Sequence, residues 1–353
     1  MIRVLVVEDS LTVRQRLIEI LMRDPEIEVV GEATDGRRAV ELTRELRPDV
    51  ITLDLVLPDM NGLAATEQIM AHVPTPILIV SASFNRGAMF DTYQALAAGA
   101  VDVLDKPRDG DDASWERRFV AAVRMVSRIK VITHLRARIA TPAPGWTPPP
   151  ALFTPAAGDA SAEVIALGAS TGGPGALAEV IGSMSATLPI PILVVLHIDA
   201  AFAHSFADWL GVRTSRTVCV ARDRDRIQGP PGHVLFAPAG HHLVVDHGMV
   251  RLTLDPPRHH CRPSVDALFD SVAAIYGSRS AAGLLTGMGR DGAAGMFAIR
   301  QAGGFTIAQD EATSIVYGMP REAAICGAAD RVLPLHEIGP ALELRARRTE
   351  RAR

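Results

Sequence analysis

Cysteine is scarce in this 353-residue chain: only Cys219, Cys261 and Cys326, far apart and without a CxxC pair. Such usage excludes a disulfide framework and a thiolate zinc cluster, and reads as buried or incidental thiols in a reducing compartment. Long hydrophobic runs are also missing. No stretch reaches the roughly 18–20 apolar residues that span a bilayer, so no membrane insertion is expected. The opening MIRVLVVEDS is too short and too acidic for a signal peptide, so a cytosolic chain is expected. Charge of one sign is not in excess, because a formal net charge of −4 gives no electrostatic case for nucleic acid or an anionic membrane. HxH and HExxH spacings are absent, which removes the common metalloprotease reading, and the glycine-rich loop GASTGGPG (168–175) lacks G-x-G-x-x-G spacing and is followed by no Walker lysine.

What is present is βα alternation on a chain long enough for two domains. VLVV (4–7), VITLDLVL (50–57) and PILIVSAS (76–83) are strand-like, and Leu11–Met22 and Gly36–Leu46 are amphipathic. Nearly all-apolar strands between helices predict a parallel sheet covered on both faces. A basic helical period runs from Trp115 to about Ile139, followed by the proline-rich stretch 141–160, which favours an extended connector. A second α/β pattern then places strands at 163–170, 191–198, 281–287 and 305–310, with a looped, hairpin-like region over 233–254.

Ligands of parallel sheets gather beyond the carboxyl ends of the strands. In the first half those ends carry Glu8 and Asp9, Asp54 within the third strand, Ser81, and Lys106 before Pro107. Clustered carboxylates at such an edge suit Mg²⁺, and a lysine beside a carboxylate can neutralise a phosphoryl group placed on it. This ordered set resembles the response-regulator receiver domain over about the first 125 residues. The resemblance implies phosphorylation of Asp54 by a histidine kinase, Mg²⁺ held by Glu8, Asp9, Asp54 and the Val56 carbonyl, and stabilisation by Ser81 and Lys106. Val103 stands where many receivers place an aromatic switch residue.

In the second half, GASTG (168–172) satisfies G-x-S-x-G, a sharp strand-to-helix turn that exposes a serine. Taken alone, the same loop could equally cradle phosphate. Among the histidines, His241-His242 and His259-His260 lie among Gly, Pro and Arg and read as exposed loop residues, whereas His197 ends the apolar strand PILVVL. Asp291 lies in the glycine-rich turn TGMGRDGAAGM (286–296), where it could orient His197 or cap the next helix. The order Ser…His…Asp differs from that of ordinary α/β-hydrolases.

Together GASTGG (168–173), His197, RPSVDALF (262–269), 286–296 and QDEATSIVYGMPREA (309–323) resemble the catalytic domain of the chemotaxis protein-glutamate methylesterases, the CheB family. The resemblance implies two α/β domains: a flavodoxin-like (βα)5 receiver over 1–125, a helical then proline-rich linker over 126–160, and a doubly wound, mainly parallel methylesterase domain with a β-hairpin over 161–345. It implies hydrolysis of glutamyl methyl esters on chemoreceptor cytoplasmic domains, glutamine deamidation, and activation by a CheA-type histidine kinase. It makes Ser170 the nucleophile, His197 the base, Asp291 the orienting carboxylate and the Met288 N–H the oxyanion donor. The Thr171 region lines the pocket, Arg262, Pro263 and 318–323 shape the receptor cleft, and the esterase step needs no cofactor. Leu196-His197-Ile198-Asp199 departs from the residues the family usually places beside its histidine, which leaves open a non-catalytic adaptor that docks to receptor arrays.

Overall fold

The computed structural model describes residues 1–81, 86–106, 112–129 and 161–346. The chain divides into two compact units, Met1–Thr147 and Pro148–Arg353.

The first unit alternates β1 (Ile2–Val7), α1 (Leu11–Met22), β2 (Ile27–Ala33), α2 (Gly36–Leu46), β3 (Val50–Leu53), α3 (Gly62–His72), β4 (Ile77–Ser81), α4 (Arg86–Ala97), β5 (Asp102–Asp105) and α5 (Asp112–Val126). Its parallel sheet has the order β2-β1-β3-β4-β5, the flavodoxin-like arrangement. Val4 to Val7, Ile51, Leu53 and Ile77 to Val80 are buried, as strands covered on both faces require. Asp35 and Asn61 start α2 and α3 by accepting the backbone N–H of Arg38 and Ala64. β2 was not legible in the sequence, because this edge strand is half-exposed and mixes polar residues into IEVVGEA. Asp54 sits one residue beyond β3, not within it. The expected long helix ends earlier, at Val126, with Trp115, Phe119 and Val123 buried on the predicted stripe. The rest of that helix from residue 130, with the proline-rich joint, lies outside the described residues.

The second unit runs β6 (Val164–Ala169), α6 (Gly173–Ser183), β7 (Ile192–Leu196), α7 (Ala200–Thr214), β8 (Val218–Val220), β9 (Val234–Phe236), β10 (His242–Asp246), β11 (Met249–Thr253), α8 (Val265–Tyr276), β12 (Ser280–Leu284), α9 (Ala293–Gln301), β13 (Phe305–Gln309), α10 (Met319–Ile325), β14 (Arg331–Leu333) and α11 (Leu335–Ala346). Its seven-stranded sheet, in the order β14-β13-β12-β6-β7-β9-β8, is parallel throughout. The region read as looped contributes β9 to this sheet and forms the antiparallel β10–β11 hairpin. Leu268, Phe269 and Val272 of α8 and Met296 and Ile299 of α9 pack with the hairpin's Leu243 and Val245 against the strands. From β6 the chain steps to β7 on one side and later returns to β12 on the other. The loop after β6 therefore lies at the switch point where parallel α/β sheets bind ligands.

Candidate active site

In the first unit, the ends of β1, β3, β4 and β5 bring together the residues the sequence singles out. Lys106 Nζ lies 2.7 Å from both Glu8 Oε2 and Asp54 Oδ2. Burial raises the Glu8 pKa despite Lys106. Burial also opposes the Lys106 charge, but hydrogen bonds to Asp54 and Glu8 outweigh it and raise that pKa. Oxygens of Glu8, Asp9 and Asp54 lie within 4.8 Å of one another, a set of hard donors that fits Mg²⁺. The Val56 N–H reaches Asp54 Oδ1 at 3.3 Å, which keeps that residue beside the cluster. Ser81 is only 2% exposed and its hydroxyl has no partner among the described residues, an orphaned donor suited to an incoming phosphoryl oxygen.

In the second unit, three strand ends converge. Ala169 and Leu196 are register partners, so Ser170 and His197 follow neighbouring strands as the next residues. The backbone ladder continues past the strands, with His197 N donating to Ala169 O (3.1 Å) and Ser170 N to Thr286 O (3.0 Å). Ser170 opens the turn into α6, and Gly172 there adopts φ +77°, a left-handed conformation that glycine tolerates. The Ser170 side chain is half-buried and makes no hydrogen bond among the described residues. On the β12 side, a Cβ on Gly287 would stand 2.7 Å from Ser170 Cβ, so only glycine lets this loop come so close.

His197 Nε2 and Asp291 Oδ2 are 2.9 Å apart. Asp291 is 2% exposed and lies against the N-terminus of α8, accepting Ser264 Oγ–H (2.7 Å), Val265 N–H (2.7 Å) and Asp266 N–H (3.1 Å). Burial works against its ionisation, but hydrogen bonds with His197 and Ser264 hold the pKa below the usual carboxylate range. Asp291 does not cap the helix that follows it, since α9 is capped by Gly292 without a side-chain bond. Burial likewise opposes a charge on His197, yet hydrogen bonds to Asp291 and Cys261 push its pKa up to about 9. Hydroxyl, imidazole and carboxylate at three adjacent strand ends are the groups that nucleophilic ester cleavage requires.

Met288 is 59% exposed, and its backbone N–H has no acceptor among the described residues. Its loop is anchored where Gly318 and Met319 both donate to Gly287 O. The 318–323 run, expected to shape a receptor cleft, thus also props this loop, with Met319 fully buried. Thr171 is nearly buried and its carbonyl accepts the Thr286 hydroxyl at 3.0 Å. Arg262 donates to the carbonyls of Leu254 and Asp255 and precedes the cis bond to Pro263. Asp199 is exposed just before α7.

Two expectations are corrected. His242 is buried, not an exposed loop residue: its Nδ1 accepts Ser264 N–H (3.1 Å) beneath the Asp291 cradle. His259 is exposed as expected, and its ring meets buried Asp266 at 3.1 Å. The cysteines are not uniformly buried or incidental, because Cys219 and Cys326 are exposed and Cys261 Sγ lies 3.7 Å from His197 Nδ1. Sequence reasoning missed Ser264, although a serine opening the apolar helical run VDALF carries an N-cap signal.

Two family models match the chain: a response regulator receiver domain over residues 4–113 and a CheB methylesterase domain over 165–342. A protein-glutamate methylesterase/protein-glutamine glutaminase of Nitrosospira multiformis is 42% identical over 97% of this chain and 96% of its own length. A second protein of that description, from Pseudomonas aeruginosa, is 44% identical over 98% of this chain and 97% of its own length. The crystal structure of the Thermotoga maritima CheB methylesterase catalytic domain matches 52% of this chain and 98% of its own, with 37% identity and a TM-score of 0.50. Fold and site together define a response-regulator module joined to a carboxylic ester hydrolase. The chain belongs to the CheB methylesterase family.

Proposed function

We propose that this enzyme hydrolyses glutamyl 5-O-methyl esters on chemoreceptor cytoplasmic domains, releasing methanol, and also deamidates receptor glutamines. Its activation is assigned to phosphorylation of Asp54 by a CheA-type histidine kinase. The observation that carries the reading is the convergence of Ser170, His197 and Asp291 at adjacent strand ends, with His197 and Asp291 in contact at 2.9 Å. The relatives named as methylesterase and glutaminase supply the substrate class.

With Asp291 on Nε2, the Nδ1 lone pair of His197 is the one available for proton transfer. Nδ1 takes the Ser170 hydroxyl proton as Oγ attacks the ester carbonyl. The oxyanion is met by the Met288 N–H, a type of contact worth about 3–4 kcal/mol in the transition state. His197 then passes its proton to the departing methoxide, and methanol leaves. Water attacks the acyl-serine and gives one proton to Nδ1, the serine recovers it as the carboxylic acid leaves, and the acid loses its remaining proton to solvent. Deamidation follows the same steps with ammonia as the leaving group.

In the receiver, Glu8, Asp9, Asp54 and the Val56 carbonyl would hold Mg²⁺, which offsets the charge of carboxylates and phosphoryl group alike. Lys106 and Ser81 take the new phosphoryl oxygens. The test is methanol release from methylated receptor by the full chain, with and without a small phosphodonor and Mg²⁺. Stimulation is expected in the wild type. In Asp54→Asn the stimulated-to-basal ratio should fall to one, and a preserved ratio would refute the switch.

A further inference from the structure

Cys261 is not absorbed by the proposed chemistry, yet its Sγ faces the one His197 nitrogen that the chemistry uses, at 3.7 Å. The thiol is held there by a tight turn in which Arg258 and Cys261 exchange backbone hydrogen bonds of 3.2 and 2.7 Å. The two central residues, His259 and His260, adopt φ of 49° and 64°, a left-handed conformation that non-glycine residues enter only when their surroundings hold them. The His259 ring is fixed between Asp266 (3.1 Å) and Arg290 Nε (3.3 Å), and the Cys261 thiol donates to His259 O at 3.4 Å.

We propose that His197 Nδ1 and Cys261 Sγ form an inhibitory site for a thiophilic divalent cation of the zinc class. Zinc takes sulfur at about 2.3 Å and imidazole nitrogen at about 2.0–2.1 Å in a tetrahedron, which sets two such ligands roughly 3.5 Å apart. The pair is therefore spaced for a shared ion with little movement. Asp291 supplies the outer carboxylate that metal-bound histidines usually carry, since it already holds the opposite ring nitrogen at 2.9 Å. One ligand atom from each of His197, Cys261 and Asp291 lies within 4.8 Å of the others, so the two ligands and the carboxylate that supports the ring are already gathered. Thiolate and imidazole select zinc over magnesium, whereas the all-oxygen cluster at Glu8, Asp9 and Asp54 has the opposite preference.

Binding involves no redox change. The ion displaces to solvent the Cys261 thiol proton and, where His197 is protonated, its Nδ1 proton; the thiolate and the Nδ1 lone pair become metal bonds, and water fills the open positions. An Nδ1 engaged in this way cannot accept the Ser170 proton, so ester turnover stops until the ion is removed. This last consequence rests on the proposed role of His197; the metal site itself does not.

Cobalt(II) is the direct probe, because a thiolate ligand gives it a sulfur-to-metal charge-transfer absorption that oxygen ligands do not. The exposed Cys219 and Cys326 would first be replaced by alanine in the full chain, and Mg²⁺ kept in excess to fill the receiver site. One equivalent of Co²⁺ should produce the band, and Zn²⁺ should displace it. In Cys261→Ser, and independently in Cys261→Ala, the band should vanish and zinc affinity, measured against a chromogenic chelator, should fall roughly tenfold or more. No band, or a band that survives both substitutions, overturns the site. Zinc should also suppress methanol release in step with occupancy and a chelator should restore it; full turnover at full occupancy overturns the inhibition. Should no methanol appear even without metal, the esterase reading fails, while the cobalt band still decides the site.

Discussion

Asp291 meets the Nε2 edge of His197 at 2.9 Å and leaves Nδ1 facing the Cys261 thiol at 3.7 Å. That single contact sets both the tautomer of the base and the direction in which it can move a proton. The carboxylate is itself fixed by Ser264 and two N–H groups of α8, so a helix N-terminus reaches through Asp291 to orient the imidazole.

Asp291→Asn keeps the shape of the side chain but cannot hold the Nε2–H tautomer. Methanol release should fall by on the order of 10³–10⁴-fold in kcat. The fold should persist, as judged by a cooperative thermal transition. A variant with near-wild-type kcat would show that His197 is oriented by something else.

The raised pKa of His197 gives a pH dependence with a definite sign. The base works only when neutral, and a pKa of about 9 keeps it protonated at neutral pH. In metal-free buffer, kcat/KM should therefore climb with pH toward a limb near 9. Burial favours the neutral ring, while Asp291 and Cys261 favour the charged one. Removing the thiol in Cys261→Ala should move the limb to lower pH. A limb that stays in place would remove Cys261 from the environment of the base.

Gly287→Ala places a methyl group 2.7 Å from Ser170 Cβ and 3.1 Å from Ser170 N. Relief of that clash must shift the serine or the Met288 loop. Displacements near 1 Å cost about 10²-fold in positioned chemistry, so kcat should drop on that order. An unchanged kcat would mean that the close approach of this loop to Ser170 has no part in turnover.

Much of the fold was legible because both sheets are parallel and covered on both faces. The β-branched runs of β1, β3, β4, β6 and β7 could hardly be anything else, and helices α1 and α2 carried their apolar stripes openly. β2 was hidden because an edge strand buries only part of itself. At the candidate site, strand ends pointed to Ser170 and His197, since each follows an apolar run directly. The layer beneath was not readable. His242 meets Ser264, Ser264 meets Asp291, Asp266 meets His259 and Cys261 meets His197 only after the hairpin and α8 fold over the sheet, and no local spacing encodes those meetings. His242 looked exposed because its glycine and histidine neighbours suggest a loop, whereas its ring is enclosed by a contact to Ser264 formed in the tertiary structure.

The most direct test is the rate of methanol release from methylated receptor by Ser170→Ala, compared with the wild-type full chain under phosphodonor and Mg²⁺. Without the hydroxyl no acyl-serine can form, and the rate should fall to near background while the thermal transition stays intact. Methanol release at the wild-type rate would contradict the account, because ester cleavage would then proceed without the nucleophile on which the arrangement of His197, Asp291 and the Met288 loop depends.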